Sequence, residues 1–481
     1  MLGGTGPYEL HGGEDSWTIR SVFTYIDLFA GCGGLSLGLR RAGGHHVLAV
    51  EKSPMASETY YRNLISDSEE DWARHSGSSL DIQVEGQLVV GPVDSLLNRP
   101  DILRKLRNLE VDLVAGGPPC QGFSLAGRRN HDDPRNRLAW EFLDFVKLVQ
   151  PKFVLIENVV GMDTKFRNGA QTSPFKDLKS ALRELGYEPH GLLLNAVHFG
   201  APQSRPRMMI IGKRVGGVPV ATSIADDDLW KSRFVDELGA EAPSALRPIP
   251  TVTSTNAPNL GEAISDLGAP SFVPLRASAH ASYKDQMGTA SLWPPLKEKP
   301  SPHNLTLRSH RDSTKELFRL LQILTKLGAL TSARHARQHD FSPDTVEDLT
   351  KKLPAEAFPV RSPDGALEFQ SARQLIDFAK EHLTRKHSQT VLDWDKPSRT
   401  VVTIPDDYVH PKEPRTFSVR ELARLQGFPD SFVFHGKVTT GGTSRRVDVP
   451  QYTQVGNAVS PFVSLALGRM IDQALRTDTP A

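Results

Sequence analysis

The sequence has few cysteines and no long apolar run. Only two cysteines occur among 481 residues, which excludes a disulfide framework and is typical of a reducing cytoplasm. No apolar segment approaches the roughly 20 residues that a helix needs to cross a bilayer. The first 20 residues, MLGGTGPYELHGGEDSWTIR, lack a basic stretch followed by an apolar one, so no signal peptide is expected. These absences predict a cytoplasmic protein without membrane spans.

The chain also lacks a large net charge, but its charges are unevenly distributed. The overall charge is +1. Residues 1–120 contain 10 Lys and Arg against 16 Asp and Glu, whereas residues 121–214 contain 15 against 9. A basic block of this kind suits an anionic partner, although an ordinary solvated basic face would give the same count.

Short apolar runs alternate with helical patterns from residue 25 to residue 212. The runs are YIDLF, HVLAVE, VDLVAGG, FVLIENV and MMIIG, and stretches 138–149 and 175–185 have apolar residues at three- and four-residue spacing. This alternation predicts an α/β fold with a doubly wound, mostly parallel sheet. Ligands of such a sheet are expected at the carboxyl ends of its strands.

The composition changes after Arg214. The next 85 or so residues are rich in Pro, Ser, Ala and Asp and show little periodicity. Helices are predicted further on at 314–330 and 372–383, and a third opens at Ser418 and stops before Pro429. We therefore predict four parts: an N-terminal extension (1–20), a main domain (21–214), a smaller inserted domain (215–416) and a C-terminal segment that returns to the main domain (417–481).

A glycine-rich turn follows the first predicted strand in YIDLFAGCGGLSLGL, residues 25–39. Such a turn directs backbone N–H groups and a helix N-terminus at a ligand. The dinucleotide pattern is broken, because Ser36 takes the place of its third glycine. Glu51, at the end of HVLAVE, could accept hydrogen bonds from ribose hydroxyls, and Phe29 could cover an adenine. The pattern favours an adenosine without pyrophosphate, with a purely structural turn as the alternative.

One of the two cysteines lies in an unusual setting, GGPPCQGFS at residues 116–124. Two prolines fix the backbone just before Cys120, so the loop would present its sulfur in a defined place. The thiolate is the reactive form of cysteine, and a positive neighbourhood favours it. We therefore predict that Cys120 is a nucleophile, with a small packed residue as the alternative. Cys32, inside the glycine turn, is expected to pack.

Taken with four further motifs, these two segments resemble the C5-cytosine DNA methyltransferase family. The further motifs, in the family's order, are ENV (157–159), QSRPR (203–207), RELARLQGFPD (420–430) and QVGNAVSP (454–461). The resemblance implies methyl transfer from S-adenosylmethionine to carbon 5 of cytosine in double-stranded DNA. It also implies a covalent adduct between Cys120 and carbon 6 of a base that has left the duplex, since carbon 6 cannot be reached inside the stack.

The resemblance implies roles for individual residues. Glu157, in an apolar setting after FVLI, would be the acid at N3 of the base, Arg207 would hold O2, and Arg205 would contact a phosphate or the cysteine loop. Residues implied to bind the cofactor are Asp27, Phe29, Gly31, Gly33, Glu51, Asp94, Asn457 and Ala458. Residues implied to bind the substrate are Gln121, Ser124 and Gln203. Asp94 departs from the family pattern because Pro92-Val93 displaces it.

The inserted domain at 215–416 corresponds to the family's target-recognition domain, and the sequence assigns no base-reading residues in it. A tRNA methyltransferase and a non-catalytic DNA-binding relative are the alternatives; the long insertion argues against the first, and the intact motifs argue against the second. The histidines of HARQH (335–339) lack partners at ligand spacing, so no metal is expected. A monomer is expected, and a cognate restriction endonuclease is left open.

Overall fold

The structure, a computed structural model, describes residues 22–118, 137–163, 173–216, 229–236, 246–267, 283, 287, 302–362, 367–441 and 447–478. The N-terminal extension lies outside these ranges. So do three predicted site residues, Cys120, Gln121 and Ser124.

An eight-stranded sheet forms the centre of the fold, with the strand order β3-β2-β1-β4-β5-β7-β6-β8. Strands β1 to β5 pair in parallel, whereas β7 runs antiparallel to both of its neighbours. The predicted α/β class and mostly parallel sheet are confirmed, and all five apolar runs form strands. The strands are β1 (Phe23–Leu28), β2 (Gly44–Glu51), β3 (Leu88–Val90), β4 (Leu113–Gly116), β5 (Phe153–Asn158), β6 (Tyr187–Asn195), β7 (Pro206–Arg214) and β8 (Leu229–Lys231).

Helices pack on both faces of this sheet. Successive strand residues point to opposite faces, so Ile26 and Leu28 join one core, whereas Phe23 and Tyr25 join the other. The helices in the first half of the chain are α1 (Gly34–Arg41), α2 (Pro54–Leu64), α3 (Glu69–Ser76), α4 (Leu80–Glu85), α5 (Asp94–Leu97), α6 (Pro100–Asn108), α7 (Arg137–Val149) and α8 (Pro174–Glu184).

The end of the chain packs against the main domain. Helix α16 (Pro461–Asp478) packs directly against α1. The two helices approach closely at Gly38, where a Cβ would lie 2.1 Å from Ser464 Oγ and 2.4 Å from Pro461 O. A side chain at this position would force α16 away from the sheet.

The motif RELARLQGFPD is largely structural. Its helix, α14 (Val419–Gln426), begins after the N-cap Ser418 and ends at Gly427, whose φ is 93°, so it is shorter than predicted. The guanidinium of Arg420 is fully buried and donates to His303 O at 2.8 Å. Burial lowers the pKa of Arg420 to about 10. This cation therefore fastens α14 to a distant loop.

The inserted domain begins later than the predicted boundary at residue 215. Strand β8 belongs to the main sheet, and α9 (Leu260–Ile264) packs in the same core as α14. The boundary was wrong because these segments bury apolar side chains against the main domain. Among the described residues, a separate core lies mainly within residues 312–391, called here the helical unit, and Val409 is a further member of it. Its helices are α10 (Asp312–Lys326), α11 (Leu330–Gln338), α12 (Pro343–Lys351) and α13 (Ala372–His382), and its short strands are β9 (Val360–Arg361), β10 (Leu367–Phe369) and β11 (Thr390–Val391).

Two further elements complete the described part of the chain. Strand β12 (Tyr408–Val409) pairs in parallel with β11, and α15 (Gln451–Asn457) precedes α16. The helix predicted at 314–330 ends earlier, at Lys326, because Gly328 adopts a left-handed backbone with φ 69°, and α11 begins at Leu330.

Candidate active site

The glycine turn between β1 and α1 forms the first part of the site. Phe29, Gly31 and Gly33 have positive φ values of 58°, 56° and 97°, in the left-handed region that favours glycine. The turn is held to β2, because Ala30 N donates to Val50 O at 3.0 Å. A Cβ on Gly31 would meet nothing within 4 Å. Open space therefore adjoins the turn where the sequence predicts a ligand.

Glu51 joins the end of β2 to this turn. Its Oε2 accepts from Gly31 N at 2.9 Å, and its Oε1 accepts from Ser53 N at 2.7 Å. Burial raises the pKa of the Glu51 carboxyl, and the backbone donors partly offset the rise. A carboxylate offers about four acceptor positions. Glu51 can therefore organise the turn and still accept from a ligand hydroxyl.

Asp27 lies beneath the turn in a buried polar cluster. Its Oδ2 accepts from Ser36 Oγ at 2.6 Å, and that hydroxyl lies 2.8 Å from Tyr60 Oη. Burial raises the pKa of Asp27 to about 7. Its Oδ1 has no hydrogen-bond partner among the described residues. Below the turn there is thus a buried carboxyl oxygen that no described residue engages.

Three more predicted cofactor residues lie on other segments of the chain. Ala458 packs beside α1, with its Cβ 3.2 Å from where a Cβ on Gly34 would lie. Asn457 is the exposed last residue of α15. Asp94 begins α5, three residues after Gly91, whose N–H donates to Glu51 O at 3.0 Å. Within the described residues, the Asp94 carboxylate makes no hydrogen bond, so its placement supports proximity to the turn and no more.

The second part of the site is an ion pair at the end of β5. Arg207 Nε lies 3.1 Å from Glu157 Oε1, and the two side chains are 17% and 13% exposed. Burial lowers the pKa of Arg207, and the charge of Glu157 opposes this shift. The sequence predicted apolar surroundings for Glu157. This prediction was wrong, because the charged side chain of Arg207 lies beside the carboxylate. The guanidinium of Arg207 and the carboxylate of Glu157 therefore remain accessible to a ligand.

The reversed direction of β7 creates this pair. Glu157 is near the carboxyl end of β5, and Arg207 is near the amino end of β7. Because the two strands run antiparallel, Glu157 is opposite Met209 and Asn158 is opposite Met208. In an all-parallel sheet the two charged groups would lie at opposite edges.

Comparison with known proteins identifies the family. Residues 23–238 and 295–473 match the C-5 cytosine-specific DNA methylases. The chain belongs to this family. The methylase transfers a methyl group to carbon 5 of cytosine in DNA, which confirms the predicted activity and favours it over the two alternatives.

Relatives of the methylase cover nearly its whole length. The type II methyltransferase M1.HphI of Haemophilus parahaemolyticus is 30% identical over 451 residues, covering 93% of this chain and 86% of its own. M.AgeI of Thalassovita gelatinovora is 30% identical over 477 residues, covering 94% and 99%. Among solved structures, a DNA modification methyltransferase from an E. coli prophage is 22% identical, with a TM-score of 0.48 and coverage of 94% and 99%. The S. pombe Dnmt2 methyltransferase is 15% identical, with a TM-score of 0.43 and coverage of 95% and 98%.

The structure corrects the predicted phosphate contact of Arg205 in the methylase. The side chain is almost fully buried. Its guanidinium donates to Val401 O at 3.0 Å, to Gly456 O at 2.8 Å and to Ala458 O at 3.1 Å. A cation enclosed by backbone carbonyls cannot also reach a DNA phosphate.

Gln203 is corrected for the same reason. Its side chain is fully buried. Its Oε1 accepts from Val401 N at 2.9 Å, and its Nε2 donates to Leu425 O at 3.0 Å and to the side chain of Gln426. Gln203 therefore joins the start of β7 to the C-terminal segment and does not contact substrate.

Two residues of the site were missed by the sequence analysis. A Cβ on Gly117 would lie 2.9 Å from Glu157 Oε2. A larger residue at position 117 would therefore displace the carboxylate. Asn158 Nδ2 donates to Pro118 O at 3.4 Å, which ties β5 to the start of the cysteine loop. Both residues fall inside motifs already quoted, and that position was the available signal.

Two negative findings concern the described ranges only. They contain no group of three or more His, Cys, Asp or Glu side chains that could hold a metal ion; His335 and His339 have ring centroids 4.5 Å apart. They also contain no helix with the length and apolar character that a membrane span requires.

Replacement of Glu51 with alanine should weaken S-adenosylmethionine binding by about 1.5–3 kcal/mol, the typical contribution of hydrogen bonds to a charged group. DNA affinity without cofactor should stay unchanged, because Glu51 lies at the turn. Calorimetry measures the two affinities. Glu58→Ala is the control, because Glu58 pairs with Arg62 within α2. Unchanged cofactor affinity in Glu51→Ala would make Glu51 a purely structural residue.

Proposed function

We propose that the methylase uses S-adenosylmethionine and a covalent Cys120 adduct to methylate cytosine within one specific duplex DNA sequence, acting as a monomer. The observation that carries this proposal is the Glu157–Arg207 pair beside Gly117. Gly117 lies between β4 and the Pro-Pro-Cys bend, so the chain leads from the pair directly to the cysteine.

The residues around the glycine turn fit the proposed cofactor. The positive φ values at Gly31 and Gly33, the free space beside Gly31 and the remaining acceptor positions of Glu51 suit a nucleoside without phosphates. Asp27, Phe29, Asn457 and Ala458 would complete the site, with Asp94 near the adenine. The bound cofactor supplies a methyl group on a positively charged sulfur. The chain binds and orients it and excludes water.

Three residues of the chain would act on the base. The Cys120 thiolate adds to carbon 6 of cytosine, which makes carbon 5 nucleophilic. Negative charge then moves toward N3 and O2 of the ring. Glu157 holds a proton or hydrogen bond at N3, and Arg207 donates to O2. Because the base must leave the duplex to reach these groups, Gln121 and Ser124 of the cysteine loop are proposed to contact the DNA.

Transfer of a labelled methyl group tests this function. We expect incorporation into duplex DNA and none into tRNA, and loss of incorporation when S-adenosylmethionine is omitted. Bisulfite mapping of the product would give the recognised sequence. Incorporation of the label into tRNA and not into DNA would contradict the proposal.

A companion restriction endonuclease with the same sequence specificity is a further part of this proposal. It is supported by the relatives, which are named type II methyltransferases. DNA methylated by this chain should resist an endonuclease from the same source that cuts the mapped sequence, and cleavage of that methylated DNA would contradict the pairing.

Sequence specificity is proposed to reside in the helical unit, residues 312–391. Its separate core would allow it to change without disturbing the sheet, and its exposed polar side chains could read base edges in the major groove. Exchange of residues 312–391 with those of a relative should transfer the relative's methylated sequence. Exchange of residues 268–301 is the control. Bisulfite mapping of the DNA methylated by each chimaera gives its recognised sequence. Transfer of the relative's recognised sequence by the 268–301 exchange would contradict the assignment.

A further inference from the structure

We propose that Arg205 is a positioning residue that couples the cofactor segment, residues 456–458, to the base-contacting pair of Glu157 and Arg207. The inference rests on the proposed function, because it takes the roles of these two groups from it. Arg205 itself touches neither ligand. It would make binding of the cofactor and binding of the target cytosine depend on one another.

The guanidinium is one end of this connection. One amino group donates to Gly456 O and Ala458 O, and the other donates to Val401 O. Gly456 lies in the last turn of α15, where carbonyls have no partner within the helix. The two segments also pack tightly, since a Cβ on Gly456 would lie 2.7 Å from Thr403 N. Arg205 therefore holds residues 456–458 against residues 401–403.

The backbone of Arg205 is the other end. Its N–H donates to Asn195 Oδ1 at 2.8 Å, and its carbonyl accepts from Ala196 N at 3.1 Å. Two residues later, Arg207 pairs with Leu194 in β6. This short, doubly anchored stretch transmits any shift of the guanidinium to Arg207, whose side chain holds Glu157.

The charge of Arg205 also reaches the pair. Burial lowers the pKa of Arg205, Arg207 lowers it further and Glu157 raises it. No acidic side chain forms a salt bridge with Arg205 in the described ranges, and its buried Nε has no partner there. Burying a charge in this way is costly, and neutral Gln203, two residues earlier, binds Val401 without that cost. Arg205 differs from Gln203 in its bonds to the cofactor segment and in its charge beside Glu157.

The test compares Arg205→Met and Arg205→Lys with the control Tyr187→Phe, which removes a buried hydrogen bond to Pro151 O at the opposite edge of the sheet. For each, we would measure the melting temperature, the KM for S-adenosylmethionine, and the Kd for a duplex bearing the mapped site with and without S-adenosylhomocysteine. Loss of the charged hydrogen bonds in Arg205→Met should raise this KM about 10- to 100-fold. The ratio of the two Kd values should fall toward 1, because coupling between two ligands is reciprocal. Arg205→Lys should be intermediate, since lysine keeps the charge but lacks the planar set of donors.

Tyr187→Phe should lower the melting temperature while leaving the KM and the ratio of Kd values unchanged. The inference is overturned if Arg205→Met lowers the melting temperature but changes neither the KM nor the ratio of Kd values. It is also overturned if the ratio of Kd values is already 1 in the wild-type chain. If Arg205→Met does not fold, the KM and the ratio of Kd values of Arg205→Lys test the inference in its place. Absence of methyl transfer to DNA by the wild-type chain would count against the proposed function instead, so that activity is measured first.

Discussion

The Cys120→Ser variant should lose methyl transfer to below detection while still binding duplex DNA. Serine is close to cysteine in size, but its hydroxyl is scarcely ionised at neutral pH and cannot add to carbon 6. DNA carrying 5-fluorocytosine at the target position provides a direct readout, because fluorine at carbon 5 blocks release of the adduct. The wild-type chain should form a complex that survives denaturation, and the variant should form none.

The other cysteine is the matched control for this experiment. Cys32 is buried, donates to Gln454 O at 3.6 Å, and has its pKa raised to about 12 by burial. Such a thiol is not a nucleophile near neutral pH. Cys32→Ser should therefore retain turnover and the covalent complex. Turnover by Cys120→Ser within a few-fold of wild type would exclude the covalent mechanism.

The Glu157→Gln variant should slow single-turnover methylation by about 10²- to 10⁴-fold, the usual contribution of a positioned acid. Glutamine keeps the size of the side chain and can still accept from Arg207, but it has no transferable proton. The charge that Glu157 stabilises develops only after the thiolate has added. The loss should therefore fall on the chemical step, with little change in affinity for DNA or cofactor.

Glu141→Gln is the control for a structural role of Glu157. Glu141 is also shielded from solvent and pairs with an arginine, Arg137, at 3.0 Å. Its replacement should affect the melting temperature without slowing the chemical step. If Glu157→Gln behaved like this control, with a lowered melting temperature and a near-normal rate, Glu157 would have no part in the chemistry.

Local sequence patterns predicted most of the sheet because they report local physics. Continuous apolar runs identify strands buried on both faces, and all five predicted runs became strands. Three strands of this sheet were not predicted: β3 and β8 have only three residues each, and the apolar pattern of β6 is interrupted by Pro189 and Gly191. The boundary at residue 215 was misplaced for a related reason: composition after Arg214 is unlike that of the main domain, but composition does not show where apolar side chains such as Leu260 are buried.

The motifs identified which residues matter but not what each does. Gln203 and Arg205 stand in the same short motif as Arg207, yet only Arg207 reaches the accessible pair with Glu157. The partners of Gln203 and Arg205 are carbonyl and amide groups roughly 200 to 250 residues away along the chain. No pattern within a five-residue motif can specify partners at that separation.

The sequence by itself determined the α/β class, the glycine turn and the family. These depend on residue type and on spacing over a few residues. Only the tertiary structure decided that Glu157 and Arg207 meet, that Arg205 is enclosed by carbonyls, and that the separate core lies mainly within residues 312–391. The reason is strand direction and long-range packing: β7 runs antiparallel to β5, which brings the start of one strand beside the end of another.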